Sequence, residues 1–156
     1  MTASSHALQQ SLETELDLVQ RFMGILQNEA SALAQPDHGE ALETCTRQKN
    51  ECIEQLIQAG QARESSLREL GYSTDRAGLE AASADHQLDE TCATLLELGR
   101  QAGELNASNG VIIDTYLKHT QQAFQTMRQL IGGSDLYDAS GKPDALKGRR
   151  TKITAG

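Results

Sequence analysis

A seven-residue repeat runs unbroken from Leu88 to Leu130. Leu88, Leu95, Ala102, Asn109, Tyr116, Ala123 and Leu130 lie seven apart, and Cys92, Gly99, Asn106, Ile113, Thr120 and Met127 form a companion track offset by four. This three-four step puts both tracks on one face of an α-helix. It crosses Asn-Ala-Ser-Asn-Gly at 106–110, where Asn and Gly signal a turn. A turn has no reason to preserve helical phase. The repeat therefore predicts one helix over about 87–131, roughly 67 Å long. Asn106 and Asn109 then fall on the inner stripe, where buried polar groups lower stability but fix register. Gly110 is where such a helix would kink. The alternative, a hairpin at Asn109-Gly110, makes a bundle of four helices.

The same step recurs upstream. Leu12, Val19, Leu26 and Leu33, with Leu16, Met23 and Ala30, predict a helix over about 4–34. Pro36 and Gly39 end it, and Asp37 with Glu40 reads as a capping box. Leu42, Cys45, Cys52, Leu56, Ala59, Leu67 and Leu70 predict a second helix over about 40–70, with Gly71 as its C′ residue. Lys49 and Arg63 interrupt that stripe and are expected to lay their stems along it. The stretch 72–86 is looser, with room for one short helix around Leu79, and Asp85 is a candidate N-cap for the long helix. Strand formers are scarce, with no Trp, two Phe and three Tyr. The expected fold is all-α: an antiparallel three-helix bundle or coiled coil with long helices over residues 1–131, followed by a flexible C-terminal tail over 132–156.

Charge and composition exclude several functions. Residues 132–156 carry five basic and three acidic side chains, which leaves residues 1–131 with a net charge of −10. An acidic body is unsuited to a phosphate backbone, so no nucleic-acid partner is expected. No run approaches the roughly 20 apolar residues of a membrane span, so stable membrane insertion is not expected. The N-terminal segment lacks a basic region followed by an apolar one, the mark of a signal peptide. Cys45, Cys52 and Cys92 have no framework spacing, which fits a reducing, cytoplasmic setting and buried thiols filling core positions. His6, His38, His86 and His119 are scattered, and no phosphate loop, nucleophile elbow or triad pattern occurs. Neither a catalytic residue nor a metal nor a cofactor is expected, and the chain is not expected to be an enzyme.

The third helix is longer than the first two by about 20 Å. Its surplus is expected at the C-terminal end, leaving Phe124, Met127, Leu130 and Ile131 incompletely covered. An uncovered apolar stripe is a partner-binding surface. Ile112, Ile113 and Tyr116 extend it, and the spacing suits a helix laid along a groove. In the tail, Leu136 and Tyr137 stand out as a large apolar pair, either a docking peptide or a segment that folds back on the bundle.

Three blocks carry a resemblance to a known family. RQKNECIEQL at 47–56 is similar to an acidic-Lys-x-x-Leu-Leu segment, with Gln48 and Cys52 where Glu and Leu are usual; it supplies Lys49 and Leu56. LNASNGVII at 105–113 is similar to a Leu-Asn-x-x-Asn-Gly plus apolar block and supplies Asn106, Asn109 and Gly110. DLYDASGK at 135–142 resembles a Leu-Tyr-Gly-x-x-Gly tail, with Asp138 in place of the first Gly, and a basic ending, KGRRTKI, also recurs. Together they resemble the FlgN-type flagellar export chaperones. The resemblance implies a helical bundle whose C-terminal part binds the hook–filament junction proteins FlgK and FlgL. It implies that such a chaperone prevents their premature assembly and delivers them to the type III export gate. It also implies docking of Tyr137, with Leu136 beside it, on the export gate protein FlhA. A reading from another class needs no family: a structural coiled-coil protein that self-assembles through its apolar stripes.

Overall fold

The computed structural model describes residues 2–131. Four helices follow one another: α1 (Ala3–Leu33), α2 (Gly39–Glu69), α3 (Arg76–Asp85) and α4 (Asp89–Ile131). No strand occurs among the described residues. The long helix is continuous through Asn106–Gly110, for 43 residues, so the hairpin alternative is not adopted. The fourth helix is instead the short α3, which carries Leu79.

Local chemistry sets the ends. The Thr2 hydroxyl accepts from the Ser5 N–H and caps α1. Gly71, with φ at +83°, ends α2; its N–H donates to the Arg68 carbonyl and the Tyr72 N–H to the Leu67 carbonyl, the paired bonds of a Schellman motif. Asp75 caps α3 by accepting from the Gly78 N–H at 2.9 Å and the Ser73 hydroxyl at 2.7 Å. These bonds, the backbone one first, hold its carboxyl below the usual carboxylate range. The turn is tight: a Cβ at position 78 would lie 1.9 Å from the Ser73 carbonyl oxygen, so only glycine fits.

Two expected caps do not form. Helix α2 begins at Gly39 with His38 as its cap residue, which leaves Asp37 one position too early to bond the first turn. Asp85 is the last residue of α3, and its carboxylate accepts from the Tyr72 hydroxyl at 2.5 Å. Gln87 takes the left-handed conformation, with φ at 60°, between α3 and α4.

The chain divides between Ile113 and Asp114 into two compact units. In the first, Leu8, Leu12, Val19 and Leu26 of α1 pack with Leu67 of α2, Leu79 and Ala82 of α3, and Leu88, Cys92, Leu95 and Ala102. Leu56 is half-buried against this core. Cys45, Cys52 and Cys92 are buried free thiols, as expected of core-filling cysteines. Helices α1 and α2 are antiparallel: Glu15, Arg21 and Glu29 meet Arg63, Gln55 and Lys49 in reverse order. The first turns of α4 run parallel to α1, with Leu95 near Val19 and Asn109 at Leu26.

The second unit begins with the last turns of α4, Asp114 to Ile131, whose described side chains are exposed apart from the partly exposed Thr120.

Candidate functional site

Three helices meet at a polar layer. Asn109 is 1% exposed, and its side-chain amide donates to the Leu26 carbonyl at 3.0 Å and to Glu29 Oε1 at 2.9 Å. Glu29 is 2% exposed, and Lys49 Nζ donates to both of its carboxylate oxygens, at 3.2 and 3.3 Å. The buried carboxylate is therefore satisfied from α2 and α4 at once. Lys49 and Asn109, which lie in different motif blocks of the sequence, are joined through Glu29. The stripe position of Lys49 predicts a stem laid along apolar surface; its head finds a buried partner. The layer also reaches Cys45, whose thiol is pushed up by burial first and by Glu29 second, with Lys49 opposing.

A second ion pair repeats the arrangement. Arg63 meets Glu15, both mostly buried. Fourteen residues, two heptads, separate Glu15 from Glu29 on α1 and Arg63 from Lys49 on α2. Sliding one helix by a heptad would set Glu29 against leucine at 42 or 56 and leave its charge buried without a partner, a strongly unfavourable outcome. The two pairs thus fix the register of the α1–α2 hairpin. Sequence reasoning singles out neither glutamate, because a glutamate on a helix is ordinarily solvated. The signal is present: Lys49 and Arg63 interrupt the α2 stripe at the same fourteen-residue spacing that separates Glu15 from Glu29 on α1.

Asn106 corrects the sequence reading. The repeat places it on the inner stripe with Asn109, but it is exposed. The companion track is covered only where α3 flanks α4. That helix has ten residues and lines a shared groove no farther along α4 than Arg100. Beyond it Ala102 and Asn109 stay buried, whereas Asn106 of the companion track faces water and Ile113 is half-buried. Gly110 is half-buried, and a Cβ added there would meet no atom within 4 Å.

After Asn109 no described side chain of α4 is buried. In the first unit Ile112 is exposed and Ile113 half-buried. In the second unit Tyr116, Phe124 and Met127 are about half exposed, and Leu130 is 82% exposed. The side chain of Ile131 lies outside the described residues, as do Leu136 and Tyr137. Leu117, also exposed, is a residue that the sequence reading misses; it follows Ile113 by four and widens the stripe. No stripe position from Ile112 to Leu130 carries a charge. Such a surface offers apolar area at helical spacing, which suits an amphipathic helix. Exposed Ile53 and Ile57 on α2 form a smaller apolar spot that the sequence reading also misses.

Among the described residues, no group of three His, Cys, Asp or Glu side chains is placed to hold a metal ion. No described helix is long and apolar enough to cross a membrane.

The chain matches the family model described as FlgN protein over residues 1–145. No curated protein and no solved structure matches it. The match spans most of the chain, so the chain belongs to the FlgN family and is a flagellar export chaperone.

Proposed function

We propose that this FlgN-family chain binds the hook–filament junction proteins FlgK and FlgL, keeps them from assembling early, and brings them to the type III export gate. The observation that carries the reading is the exposed, uncharged stripe on α4. A stripe with the spacing of a helix seam whose described side chains are exposed favours a helical client. Ile112, Ile113, Tyr116, Phe124, Met127, Leu130 and Ile131 are its proposed contacts. The work is done in the cytoplasm, with transient visits to the export apparatus.

The test is substitution of Met127 and Leu130 together by Asp, followed by titration with FlgK and FlgL. Both residues are solvent-exposed, so helical circular dichroism stays near normal while client binding falls by about a hundredfold or more, as expected when two desolvated anchors are lost. Unchanged affinity in a folded variant places the client elsewhere. A variant that unfolds makes the two residues core.

Docking on FlhA is assigned to Tyr137 with Leu136, on the strength of the tail motif. Tyr137→Ala then leaves thermal stability and client binding unchanged and strongly weakens calorimetric binding of the chaperone–client complex to the cytosolic domain of FlhA. Equal affinities remove Tyr137 as the anchor; a large loss of thermal stability makes it a bundle residue.

A further inference from the structure

Four of the five residues at 106–110 are poor helix formers, yet they are helical. Tertiary packing usually compensates such a run. Here it does so at one side chain. Asn106, Ala107 and Ser108 are exposed, Gly110 is half-buried, and Asn109 alone is buried. Nothing requires glycine at 110, because a Cβ would meet no atom within 4 Å. The anchor is also polar: one amide holding a carbonyl and a carboxylate of α1. One turn earlier the helix is braced instead, by Arg100 ion-paired to Glu97 at 2.8 Å and to Glu104.

We propose that Asn106–Gly110 is a soft link in α4, latched by the Asn109 amide on α1, that opens locally in the free chaperone and is ordered when a client binds. The proposal rests on the client-binding reading of the adjoining stripe. Ordering the link opposes binding, so it lowers affinity and speeds release. A chaperone that must hand over its client gains from a bond that is easy to break, and a stiffer helix would hold on longer.

The experiment is hydrogen exchange and client titration on the full chain carrying Asn106→Ala, Ser108→Ala and Gly110→Ala, with Asn109 kept. All three changes favour helix. Amides at 105–113 should exchange about tenfold more slowly or better, as the summed helix propensities imply. FlgK and FlgL should bind more tightly, with dissociation slowed about threefold or more, since such effects fall mainly on the off-rate. A second variant, Asn109→Ala, releases the latch: exchange over the same amides accelerates and client affinity falls, although Asn109 is buried away from any client. Unchanged exchange in the triple variant overturns the soft link. Slowed exchange with unchanged client affinity and dissociation overturns its coupling to the client. If the wild-type chain binds neither FlgK nor FlgL, the client reading fails and the coupling with it, while exchange still decides whether the link is soft.

Discussion

The two parts of α4 carry one repeat and opposite environments. From Leu88 to Asn109 the track of Leu95 and Ala102 is buried. From Ile112 to Leu130 the same spacing is solvent-exposed, in part or in full. Period and composition barely distinguish them, so periodicity reports that a face is apolar and not that anything covers it. In the first unit the cover is α1, reached through a core of leucines and closed by the Glu29–Lys49–Asn109 layer. The apolar side chains described beyond Ile113 are exposed. An exposed apolar stripe of this kind is what the proposed client would cover.

The sharpest way to break the contrast is to truncate the same residue type in both places. Leu26 is fully buried and Leu130 largely exposed. Leu26→Ala should cost about 2–5 kcal/mol, the usual range for a core leucine. Leu130→Ala should move stability by no more than about 0.5 kcal/mol, as surface changes do. Urea unfolding of the two variants checks this, and similar losses for both would erase the distinction. Next in size is Glu29→Ala, which strands a Lys49 side chain only 18% exposed and the Asn109 amide. Breaking a buried pair in this way is expected to cost about 3 kcal/mol. A neutral result in the same unfolding assay would mean that the polar layer contributes no stability to the first unit.

The smallest effect concerns the brace on α4. Hydrogen bonds from Arg100 first and Gln101 second hold Glu97 down to about 2 from an ordinary value of 4.5. A depressed carboxyl contributes stability that is complete above its ordinary value and is lost as pH falls through the depressed one. Its window is therefore from about pH 4.5 down to about pH 2. The groups are exposed and solvent-screened, so the readout is the titration itself. In Arg100→Gln the midpoint of the Glu97 carboxyl resonance should rise from about 2 toward 4.5, with Gln101 still holding it below; a midpoint still near 2 would mean that Arg100 is not the cause.

The long helices were legible because a strand or a loop does not keep a three-four step over more than four heptads, and that step correctly overrode the turn-like residues at 106–110. Gly71 was legible because a glycine after the last periodic leucine has one common use. The failures were of a different kind. Asp37 and Asp85 have the right chemistry for caps, but each sits off the cap position, a displacement that pattern reading does not resolve. Asn106 and Asn109 look equivalent in sequence; in the structure Asn109 meets α1 at the Leu26 carbonyl and Glu29, while Asn106 is exposed. Glu15 and Glu29 were hidden because a glutamate on a helix is ordinarily solvated, and its burial follows from a partner 48 or 20 residues away. The candidate surface could be read from its spacing, whereas the buried layer before it required the helices to be set in register.

The proposal stands or falls on whether α4 beyond Asn109 takes the client. Amide hydrogen exchange of the chaperone with and without FlgK tests it most directly. Exchange across residues 112–130 should slow on adding client, with the amides of α1 and α2 unchanged. Protection confined to α1 and α2, around Ile53 and Ile57 for example, with 112–130 unaltered, would contradict it.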